Sequence, residues 1–251
     1  MAKILQFFCY MLIFLFISCD SQSQKQSTTV LRIGLNAEYP PFEFKQDDTI
    51  VGFDIDLLES ISKKVGFQYT LHHMSFDGLI PALKAGKIDM IMSGMSATPE
   101  RAKQIDFTIP YYEGQTLYLK HKDNAGLTDK ESIKGKRVGV FIGTVQEQAI
   151  NKIKEEYHLT VVPSDSIFGA IMNLKNNKVD VVAADHATAK GYIRENKELE
   201  GFYQEADGSA GLSIAFDKGK YSELLEKINI AIEELKQEDE YNRILQKYQL
   251  Q

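Results

Sequence analysis

The stretch SGMSATPER, residues 93–101, closes on an arginine two residues past a proline. Thr98 and Pro99 have the form of a helix start, with Thr98 as the cap and Pro99 in the first helical position. Free N–H groups and the helix dipole at such a start favour an anion. Arg101 adds a planar guanidinium that can grip a carboxylate through two hydrogen bonds. Ser93, Gly94, Met95 and Ser96 lead into it. Gly143-Thr144-Val145 reads as a second helix start. Asp185 ends an apolar run and offers a carboxylate that suits an ammonium. NAEYPPF, residues 36–42, supplies the polar Asn36, the ring of Tyr39 and a proline-stiffened turn, and Phe76 supplies a second ring. An α-amino acid carries a carboxylate and an ammonium on one carbon, and this set complements both. Singly, each has a plainer reading: an arginine is usually solvated, a strand-end aspartate is often a helix cap, and an aromatic is usually core. What joins them is that every one falls at a strand end or a helix start.

An internal repeat explains how they come to be placed alike. Residues 75–92 read SFDGLIPALKAGKIDMIM and residues 166–183 read SIFGAIMNLKNNKVDVVA. Without a gap, Ser75, Gly78, Ile80, Leu83, Lys84, Lys87 and Asp89 recur as Ser166, Gly169, Ile171, Leu174, Lys175, Lys178 and Asp180. Each copy reads as an amphipathic helix, a polar turn and an apolar strand. The residues that follow are Ser93-Gly94 in one copy and Ala184-Asp185 in the other. Upstream, Ile33-Gly34-Leu35-Asn36 corresponds to Val138-Gly139-Val140-Phe141. Two copies at this spacing indicate two α/β lobes of similar design. Ligands of open α/β sheets bind beyond the carboxyl ends of the strands, so the cleft between the lobes is the expected site.

Further elements follow from local signals. Residues 30–35 alternate as a strand, and Pro40-Pro41 interrupts regular structure after it. Leu57, Leu58, Ile61 and Val65 form a helical stripe that Gly66 ends. A strand is expected at 67–71, another at 115–120, and a helix from Gly143-Thr144 through Glu155. Residues 211–216 read as a returning strand. Leu224, Leu225, Ile228, Ile232 and Leu235 place one face on a helix at 221–236, and a last helix is expected near 238–248. Strands alternating with helices imply an α/β fold. The expected division is lobe 1 at 30–114 and 213–251 and lobe 2 at 115–212, with the hinge strands near 115–119 and 209–215.

The chain has 251 residues, 43% hydrophobic and 25% charged, with a formal net charge of −6. That is the composition of a globular protein, and the acidic balance without a basic stripe argues against nucleic acid. Its N-terminus differs. Lys3 precedes a short apolar run, residues 4–17 with Gln6 the exception, then Ser18 and Cys19. This reads as a secretory signal of the bacterial lipoprotein kind at 1–18, with Cys19 lipidated. Phe16 stands where that pattern has Leu, and an uncleaved anchor is the alternative. Residues 19–29, polar and unpatterned beyond the cysteine, read as a flexible tether. With Cys9 in the signal and Cys19 carrying lipid, no disulfide is expected, and no Cys/His cluster has metal-ligand spacing. The pair His72-His73 reads as a strand-end feature.

The stretches NAEYPPFEF, GFDIDLLESISKKVG, FDGLIPALKAGKIDMIMSGMSATPERAKQIDFTIPYY and GKRVGVFIGTVQEQ resemble the polar amino-acid-binding proteins of bacterial ABC importers, over residues 30–248. The resemblance implies a two-lobed type II periplasmic-binding-protein fold joined by two hinge strands, with no cofactor, and an extracytoplasmic, monomeric lipoprotein that serves a permease. It implies that Arg101 binds the ligand carboxylate, helped by Ser96 and an N–H near Val145, that Asp185 and Gly94 hold the ammonium, and that Tyr39 and Phe76 sandwich the side chain. Asn36 stands where members that bind basic side chains or glutamine often have Asp, and Phe141 where some have Lys or Leu. Phe141 offers a cation–π surface. The expected ligand is a polar or basic amino acid, arginine first, then histidine, lysine and glutamine. Two other classes are weighed against this. A cyclohexadienyl-dehydratase-like enzyme needs a free acid or base in the cleft, whereas Asp185 is taken by the ammonium. A sensor ectodomain is expected to continue into a membrane span and a signalling domain.

Overall fold

The computed structural model describes residues 30–251. The signal, tether and Cys19 lie outside the described residues. Among the described residues no helix is long and apolar enough to cross a membrane.

The first sheet is built on β1 (Val30–Leu35), flanked in parallel by β5 (Gln68–His73) and β6 (Met90–Ile91). Two antiparallel strands complete it, β13 (Ala215–Asp217) and β7 (Ile105–Phe107), in the order β5-β1-β6-β13-β7. The second sheet has the order β10-β9-β11-β8-β12. Its parallel core is β9 (Arg137–Phe141) between β10 (Thr160–Ser164) and β11 (Val181–Asp185). β8 (Gln115–His121) and β12 (Leu199–Ala206) run antiparallel beside it. The orders are equivalent position by position. In each sheet the fourth strand is the one that arrives from the other half of the chain, β13 in the first and β8 in the second. A small hairpin sheet, β2 (Glu38–Tyr39), β3 (Glu43–Gln46) and β4 (Thr49–Val51), carries Tyr39.

The repeat has a structural signature that goes beyond its helices. Arg32 on β1 gives its backbone N–H and both sides of its guanidinium to Asp89, at 2.8–3.0 Å. Arg137 on β9 makes the same three bonds to Asp180, at 2.7–3.1 Å. One glycine stands beyond each arginine. A Cβ on Gly34 would meet Ile88 Cδ1 at 2.2 Å, and one on Gly139 would meet Val182 and Val179 at 3.1 and 3.3 Å.

The two helical copies differ at their starts. The second is one helix, α5 (Ile167–Lys175), capped by Ser166 Oγ on the Gly169 N–H. The first is a tight 3-10 turn at Phe76–Gly78 running into α2 (Leu79–Lys84). Pro81 in that copy has no N–H to complete a first α-helical turn, whereas the second copy has Met172 there.

α1 (Phe53–Val65) buries Phe53, Leu57, Leu58 and Ile61 and ends on Gly66 in the left-handed conformation, φ 86°. The terminal helices α7 (Ser222–Gln237) and α8 (Asp239–Lys247) pack against it. β5 includes both histidines, and His73 Nδ1 accepts the Ala37 N–H. Three expectations shift. The helix opened by Thr144, α4, ends at Ile153 rather than Glu155. The strand expected over 211–216 begins only at Ala215, because Gly211 sits at φ 120° and Leu212 makes only isolated bridges to Ser96 and Tyr112. Gln115 to Leu119 lie inside β8, so the chain crosses between the sheets upstream, over 108–114, and returns over 207–214.

Candidate functional site

Arg101 sits in α3 (Pro99–Ala102), and Thr98 Oγ1 accepts the Arg101 N–H at 3.2 Å, the cap its sequence predicts. The helix is only one turn long, so its dipole is small and the guanidinium carries the positive charge. That group is 6% exposed. It donates to the Ser96 carbonyl at 2.8 Å within its own lobe and to the Gly143 carbonyl at 2.9 Å across the cleft. Its carbon lies 5.6 Å from the centre of the Phe76 ring. Burial lowers its pKa to about 10, against the nearby negative charge of Asp207. It remains a cation at neutral pH.

Asp185 ends β11 and caps α6 (His186–Glu195). Its Oδ1 accepts the N–H groups of Ala187 and Thr188 at 2.9 and 3.1 Å, and Oδ2 takes no part in that cap. The plain reading of a strand-end aspartate as a cap is thus true of one oxygen. Burial raises its pKa to about 7, held down in part by those two N–H bonds.

Both groups line one cavity between the lobes, closed down to about 10 Å³, the room of about one water. Tyr39, Phe76 and Phe141 form its aromatic wall. Phe141 lies 5.7 Å from Phe76 and 6.0 Å from Tyr39, so its ring joins two rings of the other lobe. Gly94, Ser96, Thr144 and Val145 complete the set read from the sequence. Gly94 adopts φ 49°, and a Cβ there would press on the Tyr39 ring at 3.2 Å. Thr144 Oγ1 accepts the Glu147 N–H, and Glu147 in turn accepts the Gly143 N–H. The cap leaves the Val145 and Gln146 N–H groups at the helix mouth, where no intrahelical acceptor exists.

Three candidates stand behind the wall. Asn36 is buried, its Nδ2 on the Met74 carbonyl. Ser93 Oγ accepts the Asn36 N–H at 2.9 Å and donates to Glu43. Met95 is core, and its carbonyl accepts the Ser213 N–H. Sequence reasoning missed Gln146 and Leu212, which line the cavity. It also missed Asp207, which accepts the Ser96 hydroxyl at 3.0 Å. Gln146 is one residue past the second helix start and could have been found there. Leu212 and Asp207 lie on the returning crossing, where no periodic signal marks them. A larger groove lies alongside, lined by Tyr112, His186, Lys190 and Lys236, but it is open to solvent.

The chain is 46% identical to the probable histidine-binding protein of Campylobacter jejuni subsp. jejuni, over 92% of this chain and 90% of that one. It is 36% identical to the arginine-binding extracellular protein ArtP of Bacillus subtilis, over 87% and 85%. Its fold matches the solved structure of an ancestral arginine-binding protein bound to arginine, with TM-score 0.82, 40% identity, and coverage of 87% of this chain and 97% of that one. The two equivalent sheets and twofold crossing are the two-lobed fold of type II periplasmic binding proteins. Residues 31–251 match the model of the bacterial extracellular solute-binding proteins, family 3, and the chain belongs to that family.

Proposed function

We propose that the protein captures a polar or basic L-α-amino acid outside the cytoplasm and delivers it to the permease of an ABC importer. The observation that carries this is the pairing of Arg101 and Asp185, a cation and a carboxyl from opposite lobes, on the wall of one cavity between them. Arg101 takes the ligand carboxylate, with the Val145 N–H and the Ser96 hydroxyl beside it. Asp185 Oδ2 and the Gly94 backbone take the ammonium.

Tyr39, Phe76 and Phe141 hold the side chain. Aromatic faces favour a flat cation, which arginine and protonated histidine both offer. Relatives named for arginine and for histidine support these two ligands, arginine first, then histidine, with lysine and glutamine after them. The reading is of binding without chemistry. The one carboxyl on the cavity wall is Asp185, and the ammonium uses it.

The protein acts as a lipid-anchored monomer in this account. The anchor rests on Lys3, the apolar run and Ser18-Cys19 in the sequence. Melting the mature protein with each of the twenty amino acids tests the function. A ligand at 100 times its dissociation constant should add about 2.7 kcal/mol of stability. A clear upward shift with arginine or histidine is expected, and none with any amino acid would overturn the reading.

A further inference from the structure

Besides Asp185, two more carboxyl groups lie buried close to the cavity, and amino-acid binding as described makes no use of them. Glu43, the first residue of β3, and Asp54, in the first turn of α1, are both 0% exposed. Each has one oxygen engaged. Ser93 Oγ donates to Glu43 Oε1 at 2.6 Å. Asp54 Oδ2 accepts the Gly94 N–H and the Tyr111 hydroxyl, both at 2.8 Å. The other two oxygens, Glu43 Oε2 and Asp54 Oδ1, are buried with no donor. The titratable groups that face the pair are Tyr111, Tyr39 and Asp185, and none of them is a cation. Two carboxylates side by side in a dry interior, without a cation, are strongly disfavoured. One proton between them removes a charge and gives both orphan oxygens a partner.

We propose that Glu43 and Asp54 form a singly protonated bridge, Glu43 Oε2–H donating to Asp54 Oδ1, that positions the Ser93-Gly94 strand end facing the ligand. The bridge gathers parts that are distant in the chain. It fixes Ser93, and through Ser93 Oγ the Asn36 N–H, and it fixes Gly94 and Tyr111 through Asp54. Burial, then the Asp54 charge, pushes Glu43 well above the usual carboxylate range. Burial raises Asp54 to about 6, and the hydrogen bond from Glu43 acts against the rise. Asp54 accepts two hydrogen bonds where Glu43 accepts one, so Asp54 is the better-supported carboxylate and the proton sits on Glu43. Neither residue lines the cavity, so both are positioning residues.

The test counts donors. Glu43→Gln keeps one donor toward residue 54 and one acceptor toward Ser93. Asp54→Asn keeps one donor in the bridge from the other side, with Glu43 then ionised. The double variant sets two NH₂ groups against each other. Each single variant should therefore hold the dissociation constant for L-arginine or L-histidine within about threefold, under 1 kcal/mol. The double variant should lose more in melting temperature than the two singles together.

A pH series separates this bridge from ordinary packing. Glu43 has a folded-state pKa above its unfolded one, so its stabilising proton is fully held at low pH and is lost as pH rises toward the folded value. Gln cannot titrate. The melting temperature of Glu43→Gln should rise relative to the parent protein between about pH 5 and pH 8. A difference that stays flat with pH, or a Glu43→Gln variant as damaged as Glu43→Ala, would overturn the bridge. The binding arm rests on the proposed function and the thermal arm does not. If no amino acid binds the parent but the pH series behaves as described, the function fails and the bridge stands.

Discussion

Arg101 is held by the Ser96 carbonyl of its own lobe, a bond that survives parting of the lobes, so its guanidinium is aimed before any ligand arrives. Arg101→Ala should weaken amino-acid binding by about 2–5 kcal/mol, the usual loss when one partner of a desolvated charge pair is truncated. Arg101→Lys should recover only part of it, because an ammonium cannot make the planar two-bond grip. Calorimetry on the folded variants checks both, and near-parent affinity in the alanine variant would remove Arg101 from the site. Asp185 carries a pH signature. Its pKa of about 7 in the closed cleft is raised by burial, so the protonated form is favoured there. A ligand ammonium favours the carboxylate instead. Affinity should therefore be full above about pH 7 and fall as pH drops toward the ordinary carboxylate range near 4. Titrations across that window should show the fall in the parent and lose it in Asp185→Asn. At this scale the sequence was legible where chemistry follows local order. Thr98, Pro99 and Arg101 announce a helix start, and Gly143-Thr144-Val145 announces another. The direction of the Asn36 side chain was not, since it depends on the Met74 carbonyl, far along the chain. The Glu43 and Asp54 contacts were hidden for the same reason.

Each lobe locks its first strand to the strand that follows its repeat helix through an arginine and an aspartate. The Arg32–Asp89 lock gains a further bond from the Tyr221 hydroxyl, at 2.8 Å, which the Arg137–Asp180 lock lacks. Asp89→Asn should therefore lower the melting temperature more than Asp180→Asn. With both arginines over 40% exposed at the side chain, each loss is held to about 1 kcal/mol, or roughly 2–4 °C for a chain of this size. Both aspartates are held below the usual carboxylate range by their arginines. Their contribution is thus present above about pH 4 and lost as pH falls below it, and melting at low pH should bring each variant level with the parent. Equal melting of parent and both variants at neutral pH would contradict the lock. The repeat itself was legible because seven residues of its helix, turn and strand recur without a gap. The strand β7 was harder, at three residues too short to show a period, and β13 fills only the end of the expected 211–216. The hairpin of β2, β3 and β4 was likewise obscured by its prolines and short strands.

The whole molecule has its cavity closed by contacts across the cleft: Arg101 on Gly143, and Phe141 between Tyr39 and Phe76. Gly143 comes so close to the other lobe that a Cβ would stand 3.1 Å from Asp77 Cα. The cavity can admit a ligand only if the lobes separate about the crossings at 108–114 and 207–214, a hinge motion of the expected kind. Small-angle scattering should show a more compact particle with saturating amino acid than without it, and identical profiles would argue for a preformed site. Beyond the lobes, mass spectrometry of the mature N-terminus should find it at Cys19 with lipid attached. An unmodified terminus past Cys19 would remove the anchor and leave the binding account intact. That account is tested most directly by calorimetric titration of the mature protein with L-arginine, L-histidine and the matching deaminated acids. One molecule should bind per chain, with the deaminated acids far weaker because Asp185 has no ammonium to meet. Deaminated acids binding as tightly as their amino acids, or no binding by either, would contradict it.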